Sequence, residues 1–137
     1  MNRGPIDEMA RNPSVQPTEG ELEILKLLWG TEPQELGQIC AALREQRPVA
    51  TTTVATMLTV MLNKGLAKRT KGKRGWVWTA KLSREATIGT MLTKLIDRVF
   101  DGSAQLLVTQ LLEQGKLSDE DRRQIRALLE RRGPPSS

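Results

Sequence analysis

The sequence predicts a mainly α-helical chain carrying one small β-hairpin. Three observations lead there. Apolar residues recur at helical spacing through most of residues 18–64 and again from residue 84 to residue 129. Between these stretches the period shortens to two over Trp76, Val77 and Trp78. Glycines that suit helix ends, Gly30, Gly65 and Gly102, punctuate the apolar runs. With 137 residues, 38% of them apolar, the chain has material for one domain or two small ones with modest cores.

Residues 1–16, MNRGPIDEMARNPSVQ, mix proline, glycine and charge without a period, and are expected to form a disordered arm. PTEGE then opens the first helix: Thr18 can cap, and Glu21 three residues on completes a capping-box pattern. Leu22, Leu25, Leu28 and Trp29 follow as its apolar face. A second helix is predicted from about Pro33 to Glu45, with Leu36, Ile39, Cys40 and Leu43 on one side. A short break, QRPV, leads to a third helix from about Ala50 to Lys64, its buried stripe being Val54, Met57, Leu58, Met61 and Leu62. LAKRT and GWVWT then read as two antiparallel strands joined by the basic turn KGKRG. Three helices with a tight turn between the second and third, followed by a hairpin, describe a winged helix-turn-helix over residues 17–82.

Residues 83–132 are predicted to be three more helices. In the first, Ile88, Met91, Leu92, Leu95, Ile96, Val99 and Phe100 form a wide apolar stripe. The second carries Ala104, Leu107, Val108, Leu111 and Leu112. Ser118 opens the third, where Asp119, Glu120 and Asp121 suit the N-terminal dipole and Ile125, Leu128 and Leu129 are apolar. The last residues, 133–137, are expected to form a flexible tail.

Composition excludes much chemistry. The chain has no histidine, which removes a histidine general base, a Ser/His/Asp triad and histidine metal ligation. One cysteine, Cys40, makes neither an internal disulfide nor a multi-cysteine metal site; it reads as a small core residue suited to a reducing cytoplasm. No catalytic residue, metal site or cofactor is expected. No apolar run approaches the roughly 18 residues that span a bilayer, and the N-terminus lacks a signal-peptide core, so no membrane insertion is expected.

Charge is placed unevenly. No Asp or Glu occurs between Glu45 and Glu85 in a chain that is 27% charged. Residues 17–82 hold ten Lys/Arg against six Asp/Glu, a balance of +4, whereas residues 83–137 hold nine against eight, +1. Lys64, Lys68, Arg69, Lys71, Lys73, Arg74 and Lys81 crowd the hairpin side. A basic surface beside an exposed helix is the footprint of a nucleic-acid binder, because acids there would repel phosphates. The third helix strengthens that reading. Opposite its buried stripe lie Thr52, Ala55, Thr56, Thr59 and Asn63, all short and uncharged, although threonine is a mediocre helix former. Short side chains let a helix lie deep in a major groove, where threonine hydroxyls bond phosphates or base edges. Thr51 and Thr53, at the same helix start, complete the candidate set, and the helix N-terminus offers free N–H groups to a phosphate. Lys71, Lys73 and Arg74 of the wing would straddle the flanking backbone. Trp76 and Trp78 share one strand face and are expected to pin the wing to the core.

A segment of about 55 residues with so apolar a first helix struggles to bury a core alone. Pairing two copies would lay Ile88, Leu92, Leu95, Ile96 and Val99 against Leu107, Leu111, Ile125, Leu128 and Leu129. The alternative is that these helices fold back on their own winged helix. A twofold dimer predicts a pseudopalindromic operator.

The strings PTEGELEILKLLW, TTTVATML, NKGLAKR, GWVWTA, RVFDGS and LSDEDRRQIRALLE, in this order over residues 17–132, resemble the penicillinase-repressor (BlaI/MecI) family. The resemblance implies a homodimeric, cytoplasmic transcriptional repressor, bound to inverted-repeat double-stranded DNA operators of antibiotic-resistance or stress-response genes. It also implies induction through a membrane sensor protease, with a cut near Gln110 and Leu111. This chain departs from the family there, where Asn-Phe is the usual pair, and at Val60, a position often arginine. One cysteine and no histidine also set it apart from the copper-responsive branch. A reading from another class keeps the winged helix but gives it an acidic protein partner instead of DNA.

Overall fold

The computed structural model describes residues 16–32 and 34–132. Residues 1–15 of the expected arm and the expected tail, 133–137, lie outside the described residues. In chain order the elements are α1 (Glu19–Gly30), β1 (Gln34–Glu35), α2 (Leu36–Arg44), α3 (Thr51–Lys64), β2 (Ala67–Lys71), β3 (Trp76–Ala80), α4 (Arg84–Val99), α5 (Ala104–Glu113) and α6 (Asp119–Arg132). The fold class is the expected one: mainly α, with a small antiparallel sheet and the element order of a winged helix-turn-helix.

Local chemistry sets the boundaries. The Thr18 hydroxyl accepts the Glu21 N–H at 3.2 Å, and the Glu21 carboxylate accepts the Thr18 N–H at 3.0 Å, so two orphan donors of α1 are satisfied reciprocally. α3 stops at Gly65, whose φ of 81° is left-handed and suits a residue without Cβ. There Leu66 N–H reaches Met61 C=O at 2.8 Å and Gly65 N–H reaches Leu62 C=O at 3.2 Å, the paired bonds of a Schellman ending.

The sheet differs from the expected hairpin. It has three strands in the order β1-β3-β2, because Gln34 and Glu35 pair antiparallel with Trp78 and Val77. α2 therefore begins at Leu36, not Pro33. A two-residue strand has no periodicity of its own to detect. Its Gln34 is 7% exposed and donates from Nε2 to the carbonyls of Leu27, at 2.8 Å, and Thr31, at 2.7 Å. It thereby adds a second donor to Leu27 C=O, which also accepts the Thr31 N–H at 3.1 Å, and ties the end of α1 to β1.

The core is drawn from α1 (Ile24, Leu25, Leu28), α2 (Ile39, Cys40, Leu43) and α3 (Val54, Leu58, Met61), closed by Leu66, Ala67 and Trp78. Ile24 is wholly buried while Leu22 is only half-buried, so the inward face of α1 is turned slightly from the expected one. Trp78 reaches the core, but Trp76, one pleat further out, is 42% exposed and does not pin the wing. The anchor at the wing's far end is instead Trp29, whose indole N–H donates to Leu82 C=O at 3.0 Å.

Residues through Leu92 and residues from Thr93 form two compact units, with the division inside α4. In the second unit, α5 buries no side chain, and every residue of α6 from Asp119 to Arg131 is exposed.

Candidate nucleic-acid interface

The outward face of α3 follows from its inward one. With Val54, Leu58 and Met61 at 0% exposure, helical geometry turns Thr52, Thr53, Thr56, Thr59, Val60 and Asn63 to solvent. Thr51 is exposed as well, and Ala55 is half-buried. The helix start carries no side-chain cap, since its N-cap residue is Ala50. The N–H groups of the first turn, which lack helical partners, are left to an external acceptor. The positive end of the helix dipole lies at the same place, which makes the threonine-lined start attractive to an anion. Thr59 directs its hydroxyl to Ala55 C=O at 3.1 Å, leaving the oxygen's acceptor capacity and its methyl outward.

Arg44, absent from the sequence-derived candidates, organises this helix start. Its Nε donates to Val49 C=O at 2.9 Å and its Nη2 to the Thr51 hydroxyl at 2.7 Å. A guanidinium thus sits at the N-terminal turn of α3, holding the α2–α3 connection in place.

The wing supplies the remaining cations. Lys71 ends β2, and Lys73 and Arg74 lie in the turn Gly72–Gly75, closed by a Gly72 N–H to Gly75 C=O bond of 2.6 Å; all three side chains are exposed. A Cβ on Gly72 would stand 2.8 Å from Val77 Cγ1, so the turn is packed tightly enough to favour glycine. The hairpin register sets Arg69 across from Trp78 and Lys71 across from Trp76. Arg69 consequently lies 4.0 Å from the Trp76 ring centroid and 5.6 Å from that of Trp78. Such stacking holds a guanidinium without neutralising it. The same register was obtainable from the strand pattern, so this arrangement could have been found from sequence.

Between wing, α3 and the start of α2 lies a cleft of about 530 Å³, bordered by Leu36 and Gly37, by Ala55 and Thr59, and by Arg69, Arg74 and Trp76. It also receives Glu35, whose carboxylate accepts from Arg74 Nη2 at 2.9 Å and Nε at 3.4 Å. Not every basic residue of the acid-poor stretch belongs to this surface. Lys64 turns away and meets Glu21 at 2.7 Å, where the carboxylate side chain is only 6% exposed. Arg47 is paired with Glu23.

The residues expected to pair two copies lie elsewhere. Ile88, Leu92, Leu95 and Val99 on α4 and Ile125, Leu128 and Leu129 on α6 are all more than 40% exposed, while Ile96, Leu107 and Leu111 are half-buried. Gln110, beside Leu111 on α5, is exposed. Among the described residues no cluster of His, Cys, Asp or Glu could hold a metal ion, and no helix is long and apolar enough to cross a membrane.

The chain is similar to several known proteins. The chain is 24% identical over 115 residues to the penicillinase repressor of Bacillus licheniformis, covering 84% of this chain and 90% of the relative. It is 23% identical over 122 residues to the methicillin resistance regulatory protein MecI of Mammaliicoccus sciuri, covering 88% and 98%. Among solved structures, a mutant of Lactococcus lactis ZitR superposes with a TM-score of 0.45 at 18% identity, over 93% of this chain and 87% of that one. The family model described as penicillinase repressor matches residues 17–131, nearly the whole described chain. The chain belongs to the penicillinase repressor family, whose members are transcriptional repressors and not enzymes.

Proposed function

We propose that the protein is a cytoplasmic homodimer that represses transcription by binding an inverted-repeat operator in double-stranded DNA. Resistance or stress-response genes would be its targets. In this reading residues 17–82 bind DNA and residues 83–132 hold two copies together. The observation that carries it is the outward face of α3, which is threonine-rich, free of charge and uncapped at its N-terminus, beside a wing bearing Lys71, Lys73 and Arg74. Such a face fits a major groove: Thr51, Thr52, Thr53, Ala55, Thr56 and Thr59 would meet base edges and phosphates, while the wing cations grip the flanking backbone. The exposed apolar residues of α4 and α6 support pairing of two chains. Twofold symmetry would then set two recognition helices roughly 34 Å apart, or a multiple of that.

Selection of bound fragments from a random duplex pool tests the reading. A palindromic motif with half-sites one or two helical turns apart is expected. Each phosphate-contacting cation should add about 0.9 to the log–log salt slope. Replacing Thr52 or Thr56 should change which sites are preferred, whereas Lys73→Ala should weaken all duplexes alike. No preference for any duplex, or equal binding to an acidic protein, would overturn it.

A further inference from the structure

The wing carries an acid where the charge pattern leads one to expect none. From residue 46 to residue 84 the chain has no carboxylate, yet Glu35, at the end of β1, reaches the wing turn and closes a two-point contact with Arg74. The two partners are not equally free. Arg74 is 80% exposed on a turn, whereas the Glu35 side chain is 29% exposed. The Glu35 backbone is held in β1 opposite Val77, and its N–H donates to Gln38 Oε1 at 2.7 Å. The carboxylate is therefore the fixed member and the guanidinium the movable one. A planar carboxylate taking two N–H bonds from a guanidinium has the same donor geometry that a phosphate would use.

We propose that Glu35 is an internal stand-in for phosphate: it holds Arg74 in the wing of the free protein and competes with DNA for it, thereby lowering the affinity for every duplex. The inference rests on the DNA-binding reading above. Arg74 must leave Glu35 to grip a backbone, and the carboxylate it leaves behind remains at the edge of the cleft bordered by Ala55, Thr59 and Arg69. Lys73, the neighbouring wing cation, has no carboxylate partner among the described residues and carries no such penalty. It follows that Lys73→Gln costs more DNA affinity than Arg74→Gln, although arginine is usually the better phosphate ligand.

Fluorescence titration of the full chain with its selected operator and with an unrelated duplex, at several salt concentrations, tests this. Glu35→Gln keeps the side chain's shape and an acceptor oxygen for the start of α2. It should tighten both duplexes by about three- to fivefold, the range of a partly exposed ion pair. The salt slope should steepen by up to about 0.9. In an Arg74→Gln background the gain should vanish, and Glu113→Gln, with the same change in formal charge, should have no effect. A gain that persisted without Arg74 would overturn the proposal, because Glu35 would then act only as a repelling charge. So would unchanged affinity in Glu35→Gln where the wild-type protein binds its operator. Should Glu35→Gln fail to fold, the comparison of Lys73→Gln with Arg74→Gln decides, and a larger loss at Arg74 sinks the idea. A wild-type chain with no preference among duplexes would instead remove the DNA-binding reading itself.

Discussion

Leu58 of α3 and Leu95 of α4 occupy equivalent places, each midway along an apolar stripe, yet Leu58 is 0% exposed and Leu95 is 41% exposed. The difference extends to their surroundings. Around Leu58, three helices and the sheet bury Ile24, Leu25, Leu28, Ile39, Val54 and Met61 almost completely. Beyond Leu92 no apolar side chain among the described residues reaches that state. Full burial of such a side chain is worth about 1.5–3 kcal/mol relative to exposure. The winged-helix unit obtains this within one chain; α4, α5 and α6 have residues able to do so, in a pattern just as regular, without a surface that covers them. Periodicity therefore reports that a helix has an apolar side, and does not report whether its own chain supplies the cover.

The largest expected effect lies on the closed side of this contrast. Leu58→Ala leaves a cavity among α1, α2 and α3 and should cost about 3 kcal/mol. The loss should appear in thermal or denaturant unfolding at every protein concentration, since the core closes within one chain. A loss that shrank as concentration rose would show that this core, too, depends on a second copy.

Next comes the open side. Leu95→Glu places a charge in the middle of the stripe proposed to pair two chains, where it would be buried without a partner. The dimer dissociation constant should rise about a hundredfold, close to 2.7 kcal/mol. Sedimentation of the wild-type chain should give a mass near twice 15.3 kDa at micromolar concentration, and the variant a mass near the single value. A variant that stayed dimeric would mean that this stripe is not the pairing surface.

What could be read from sequence follows the same division between local and distant causes. The capping box of Thr18 and Glu21, the helix stop at Gly65 and the inward residues of α3 all depend on neighbours within a few positions, and each was legible. β1 was not, because Gln34 and Glu35 become a strand only by pairing with Trp78 and Val77. The contacts that sort the basic residues were equally hidden: Lys64 meets Glu21 across 43 positions, and Arg74 meets Glu35 across 39. Counting charge along the chain identified the basic surface, but only the fold separates Lys64, bound into the body, from Lys73, exposed at the turn. Arg44 was missed for a similar reason, since its bond to Thr51 requires the turn between α2 and α3 to be in place.

The smallest expected effect compares the two halves through one chemical device. Thr18 and Ser118 cap α1 and α6 in the same way: each hydroxyl accepts the N–H three residues on, at 3.2 Å and 3.0 Å, and each backbone N–H donates to the carboxylate there, Glu21 or Asp121. Replacing either by alanine removes one such bond and should cost about 1 kcal/mol. The readout, however, should differ. Thr18→Ala should lower the stability of the winged-helix unit by the same amount at any concentration. From Asp119 to Arg131 every side chain of α6 is exposed, so under the proposed pairing the stability of this helix would be tied to association. Both copies carry the change, so Ser118→Ala should appear as a dissociation constant raised about thirtyfold, with a midpoint of thermal unfolding that recovers as protein is added. Identical concentration dependence for the two variants would place both helices in the same kind of core and remove the contrast between Leu58 and Leu95.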